Sequence, residues 1–169
     1  MIDETRTPRA TAGRRSLARL AAVQALYQVD ISGTPIETVI AEFLKHRFER
    51  DADEENYGRA DTALFSDIVK GTANRGAEVD QILSGVLTPE WPLERLEVTL
   101  RAILRAGTYE LIARSDVPAR VVISEYLDIA HAFFAGKEPG MVNGVLDRLA
   151  RMHRQGDFQD GSGGGSQTA

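Results

Sequence analysis

The sequence predicts an all-α protein, a bundle of about seven helices. Segment after segment repeats apolar residues at the i, i+3, i+4, i+7 spacing of one helix face. Prolines, glycines and short polar clusters punctuate these segments at helical lengths. The strand-like composition around Val121 has no second alternating run to pair with. Helix packed on helix is the architecture left.

Residues 1–13, with Thr, Pro, Ala and Gly among the charges, are expected to form a flexible basic arm. A first helix is predicted from Arg14. Ala18, Ala22, Ala25 and Val29 share one stripe, with Leu26 beside it, and such small residues let another helix approach closely. Gly33 ends it. Thr34-Pro35-Ile36-Glu37 reads as a second start, with Thr34 as N-cap, Pro35 in the first turn and Glu37 completing a capping box. Ile36, Val39, Ile40, Phe43 and Leu44 supply its apolar face. Residues 49–58 (ERDADEENYG) read as a solvated acidic loop.

Leu64, Phe65, Ile68, Val69 and Thr72 define a third helix. Val79, Ile82, Leu83, Val86 and Leu87 define a fourth, broken at Thr88-Pro89. Trp91-Pro92 is expected to open the fifth, which carries Leu93, Leu96, Leu100, Ile103, Leu104, Gly107 and Leu111 and stops at Asp116-Val117-Pro118. A sixth runs through Val122, Tyr126, Ile129 or Ala130, and Phe133, the last expected in the core. After a turn at residues 135–140 (AGKEPG), a last helix from Met141 to His153 turns Val142, Val145, Leu146 and Leu149 inward. The domain is expected to span residues 14–154, with a flexible Gly/Ser-rich tail over 155–169.

Composition narrows the function. A chain of 169 residues that is 43% apolar suits one globular domain with a real core. No run approaches the ~20 apolar residues of a membrane span, so no membrane partner is expected. The arginine-rich start lacks the apolar stretch and cleavage site of a secretory signal. The absence of cysteine excludes disulfides, a zinc knuckle and a thiol nucleophile, and it fits a reducing cytoplasm. There is no GxxxxGK[ST] loop and no GxGxxG after a strand. His46, His131 and His153 are scattered without metal spacing. Ser66-Asp67 and Ser124-Glu125 have no histidine in register for a triad. Neither enzyme activity nor a cofactor or metal is expected, which leaves binding.

The charge is unevenly placed. The net charge is −5, yet Arg6, Arg9, Arg14, Arg15 and Arg19 lie between Thr5 and Val29 with no acidic residue among them. Polyanion binding depends on such a local patch rather than on the sum. The sequence has 17 arginines against 3 lysines. Bidentate phosphate recognition and a G+C-rich genome both account for that ratio. Arg15 and Arg19 are spaced i, i+4, with Arg14 beside them, so the cluster reads as a phosphate-binding face. Arg101 and Arg105 repeat the spacing, and Arg148, Arg151 and Arg154 follow on the last helix. If the first and fifth helices pack side by side, these would merge into one groove tracking a phosphate backbone. For Arg101 and Arg105 alone, solubilising salt bridges to neighbours such as Glu97 are the favoured reading.

Five ordered blocks carry a resemblance: RRSLARLAAVQALYQ, LFSDIVKGTANRGAEVDQIL, WPLERL with RAILRAGTYEL, DVPARVVISEYLDIAHAF and MVNGVLDRLA. Together, over about residues 14–150, they resemble the NusB family of bacterial transcription antitermination factors. The resemblance implies two packed three-helix subdomains with one further helix. It also implies a partner, the NusE ribosomal protein, and a target, the single-stranded boxA element of ribosomal RNA leaders. The complex would help RNA polymerase ignore terminators and support rRNA maturation. By position, Arg14, Arg15 and Arg19 match the family's arginine-rich RNA-binding motif, and Gln24 and Tyr27 lie in its ALY block. Arg105 matches the basic position before the EL pair, with Arg101 one turn earlier. Met141, Val142 and Asn143 match the block that closes the RNA surface. Many relatives have Phe where Met141 stands. Methionine keeps an apolar contact but loses the ring face that stacks on a base, worth ~1–3 kcal/mol. Ser124 likewise stands where relatives often carry Asn.

A mobile basic arm wrapping unpaired backbone, with a fixed helix face setting register, suits single-stranded RNA. Gln24 and Asn143 are the candidates for base discrimination, although Asn143-Gly144 also reads as a helix start or local bend. Two other functions are weighed. One is a helical protein-interaction module without RNA contact. The other is the targeting module of an rRNA cytosine methyltransferase, against which stand the missing cysteine and a Gly/Ser tail in place of a catalytic domain. Monomer and homodimer both remain open.

Overall fold

The computed structural model describes residues 7–48 and 60–159, with side chains described for 13–48 and 60–158. The expected acidic loop, Arg6 and the end of the tail lie outside these residues, as does the side chain of Arg9. Helix α1 runs Thr7–Ser32 and ends at Gly33, whose φ of 67° favours glycine. Helix α2, Ile36–Glu42, continues as a π-helical turn over Phe43–Arg47. Then come α3 (Thr62–Asn74), α4 (Gly76–Val86), a 3₁₀ turn (Leu93–Arg95), α5 (Val98–Ala113), α6 (Ala119–Phe133), α7 (Glu138–His153) and a short α8 (Gly156–Gln159). Among the described residues there is no strand, as the apolar periodicities predict.

Helix α5 is the central element. It packs on α1, α3, α4, α6 and α7, and its residues Leu100, Ile103, Leu104, Ala106 and Leu111 are buried. Around it, α1 joins α2 and α3 on one side, and α6 pairs with α7 on the other. Close approach is built into the sequence. A Cβ on Gly71 of α3 would lie 2.0 Å from the Tyr109 ring of α5, and one on Gly107 would lie 3.0 Å from Leu146 of α7. The alanine stripe of α1 serves the same purpose, since Ala18, Ala22 and Ala25 are fully buried.

Several boundaries differ from expectation. Helix α1 starts at Thr7, within the segment expected as an arm. At α2 the Thr34 hydroxyl accepts a hydrogen bond from Ser32 Oγ at 2.8 Å rather than capping the helix. The fifth helix does not start at Trp91-Pro92. Leu93–Arg95 forms a separate 3₁₀ turn, Leu96 is extended, and Glu97 caps α5 by accepting from the Leu100 amide at 3.1 Å. Helix α7 begins three residues before Met141, because Pro139 fits a first helical turn, where no amide is needed. Phe133 is not in the core. It is 46% exposed at the last turn of α6, and its neighbour Phe134, in extended backbone, packs on the core instead.

The expected tail also carries structure at its start. Arg154 is buried and donates to the carbonyls of Leu111, Arg114, Ser115 and Val117 and to Asp157. Asp157 in turn accepts from the Ala119 amide at 2.8 Å, at the start of α6. Phe158 packs against the core. Residues 154–158 therefore close the corner between α5 and α6.

Candidate nucleic-acid interface

The candidate interface begins at the third turn of α1, where side chains are first described. Arg14 and Arg15 are exposed there. Arg15 continues the inward stripe, four residues before Arg19 and seven before Ala22, but stands beyond the edge of the core. Its Nε lies 3.9 Å from Asp61 at 58% side-chain exposure, a weak pair that leaves the charge accessible to a phosphate. The turn is fixed from two sides. The Asp61 amide, at the start of α3, donates to the Arg14 carbonyl at 3.0 Å, and Asp61 Oδ1 caps α3 through the Leu64 amide. On the other side, Ser16 Oγ donates to both Glu125 carboxylate oxygens of α6, at 2.8 and 3.0 Å.

Arg19 corrects the sequence reading. Expected to face phosphates with Arg15, it is 1% exposed and binds Glu110 of α5 through two hydrogen bonds, of 2.8 and 3.0 Å. The Glu125 carboxylate lies 3.9 Å from its other terminal nitrogen. Burial works against the charged guanidinium, but the hydrogen bonds and charge of Glu110 outweigh it and raise the Arg19 pKa. Burial also pushes the Tyr126 phenol well above its ordinary range, reinforced by the Glu110 charge. An i, i+4 pair shares a helix face, yet here one member lies inside the bundle and the other beyond its end.

Arg101 and Arg105 are also paired, though not with Glu97. Arg101 reaches Asp30 of α1 at 2.6 Å. Arg105 binds both oxygens of Asp80 of α4 at 2.8 and 2.9 Å. The pairs Arg19–Glu110 and Asp30–Arg101 set α1 antiparallel to α5. The helices do lie side by side, but the basic pairs do not merge. Asp30 is roughly 22 Å of helix rise from Arg15. The two arginines instead line a polar groove of about 460 Å³ with Asp30, Asp80, Glu94 and Ser84.

Of the remaining candidates, Tyr27 is 40% exposed on the outer face of α1, and Gln24 is half-buried with its amide oxygen inside. On α7, Asn143 is exposed and Met141 half-buried, and at i, i+2 spacing the two side chains do not share a face. Arg148 is exposed, whereas Arg151 pairs with Asp147 and stacks on Phe158, and the buried Arg154 is unavailable to a ligand. The sequence reading missed Ser16, Asp61, Glu110 and Glu125. A signal for the buried pair was present: Arg19 and Glu110, of opposite charge, each occupy a position on an apolar helix stripe. Among the described residues, no group of three or more His, Cys, Asp or Glu is placed to hold a metal, and no helix is long and apolar enough to cross a membrane.

Residues 16–151 match the sequence profile of the NusB family. The chain belongs to the NusB family. The transcription antitermination protein NusB of Bradyrhizobium sp. (strain ORS 278) is 54% identical over 143 residues, 85% of each chain. The NusB structure from T. maritima superposes with a TM-score of 0.71 at 30% identity, covering 86% of this chain and 96% of that one. The fold also matches, with a TM-score of 0.64 at 24% identity, a chain in a crystal structure of the antitermination factors NusB and NusE in complex with dsRNA; it covers 81% of this chain and 96% of that one. The NusB fold thus accounts for the central α5 and the two flanking helix groups.

Proposed function

We propose that the chain is a non-catalytic RNA-binding factor of transcription antitermination, acting in the cytoplasm with the NusE ribosomal protein. Its target would be the single-stranded boxA element of rRNA leaders, within an RNA polymerase antitermination complex. The observation that carries this reading is the pair of exposed arginines, Arg14 and Arg15, on a turn of α1 anchored by α3 and α6. A rigid basic turn presents charge to a phosphate backbone without first having to be ordered. The complex of NusB and NusE with dsRNA, which shares this fold, supports the choice of partners.

The test is a gel-shift titration of boxA RNA with and without NusE, from low to high salt. Binding that tightens with NusE and weakens with salt is expected. Affinity flat across salt would refute phosphate contact. A second reading, a protein-interaction module without RNA contact, draws on the internal pairing of Arg19, Arg101, Arg105 and Arg154. RNA binding unchanged in Arg14→Ala/Arg15→Ala would favour it.

A further inference from the structure

Between Ser16 and Arg19, α1 holds a polar cluster that the RNA-binding motif does not explain. Glu125 projects from α6 toward α1, accepts the single Ser16 O–H shared between its two oxygens, and sits 3.9 Å from the buried Arg19 guanidinium. Arg19 is itself held by Glu110 of α5 through two bonds. Three helices therefore meet at one guanidinium. Of the two described carboxylates beside it, Glu110 is fully buried, whereas Glu125, at 22% exposure, reaches the residue directly after Arg15.

We propose that Glu125 is a positioning residue for RNA binding: by holding Ser16 against α6, it fixes the direction in which Arg14 and Arg15 meet RNA phosphates. The inference rests on the RNA-binding reading above. Glu125 makes no contact with RNA in this account; its negative charge beside a basic turn would by itself weaken RNA binding. Its benefit is geometric. Ser16 adjoins Arg15, so losing its bond to Glu125 loosens this turn of α1 against α6, and fixing it again on binding lowers affinity. Arg19 acts in the same way, as the buried anchor for Glu125 rather than as a phosphate contact.

Two pairs of variants in the full chain, each assayed with NusE and a labelled boxA RNA, separate geometry from charge. Glu125→Gln and Glu125→Ala remove the same charge, but Gln keeps an oxygen that accepts from Ser16. Ser16→Thr keeps the hydroxyl and Ser16→Ala removes it, with no charge change. The Ala variants are expected to bind roughly three- to tenfold more weakly than their Gln and Thr counterparts, the loss typical of one hydrogen bond. Amides around residues 13–19 are expected to exchange faster in Ser16→Ala. Equal affinities within both pairs, with Arg14→Ala/Arg15→Ala still impaired, would overturn the positioning role alone. If the wild-type chain does not bind RNA with NusE, the functional reading falls and this inference with it.

Discussion

Arg19 lies 1% exposed between Glu110 and Glu125, so its charge is compensated by carboxylates and not by water. Removing one partner from such a pair strands the other in a low-dielectric site. Arg19→Ala is expected to destabilise the fold by about 3–5 kcal/mol, measured by urea unfolding followed through Trp91 fluorescence. Arg15→Ala, which breaks only an exposed pair, should cost under about 1 kcal/mol in the same assay. Tyr109 gives a second residue-scale test. Burial and the hydrogen bond to Asp67 push its phenol from 10.0 to about 12. A folded-state pKa above the unfolded one gives stability that is complete below about pH 10 and lost as pH rises toward 12. Alkaline unfolding monitored by circular dichroism should show this loss, and Tyr109→Phe should flatten the slope over that window. Tyr126, shifted the same way, leaves part of it in place.

At the scale of elements, close approaches and corners decide the packing. Gly71 lets α3 lie against the Tyr109 ring, and Gly71→Ala would drive a Cβ to 2.0 Å from it. The buried Tyr109 ring or the helices themselves would have to shift, so melting is expected to show a loss of about 1–3 kcal/mol. The corner between α5 and α6 depends on a side chain from beyond α7. Arg154 satisfies four carbonyls that lie past the reach of the α5 ladder, and Asp157 caps α6. Arg154→Ala is expected to cost about 2–4 kcal/mol and to speed hydrogen exchange at the Ala119 amide. Element identity was readable in the sequence because every main helix carries its own apolar stripe. Boundaries were less readable. Trp91-Pro92 resembles a helix start, but Leu93 and Leu96 find the core from a 3₁₀ turn and an extended residue, so their spacing imitates a helix without belonging to one.

For the whole molecule, a net charge of −5 and an RNA-binding role are compatible because Arg19, Arg101, Arg105, Arg114 and Arg154 are paired with carboxylates inside the fold or at helix junctions, while Arg14 and Arg15 are exposed. The salt dependence of RNA affinity should therefore be modest. Replacing both Arg14 and Arg15 by Ala should lower its slope by about 1–1.5, at roughly 0.7 per phosphate contact on a single strand. The all-helical class, the buried stripe Ala18–Ala22–Ala25 and the basic turn at Arg14 and Arg15 were all determined by sequence, since periodicity and local charge are properties of neighbouring residues. Which arginines stay available to a ligand was decided only by tertiary structure. Arg19 and Arg15 are chemically identical and one turn apart; what separates them is Glu110, 91 positions away in sequence from Arg19, which a helix pattern cannot foresee and antiparallel packing of α1 on α5 brings to 2.8 Å.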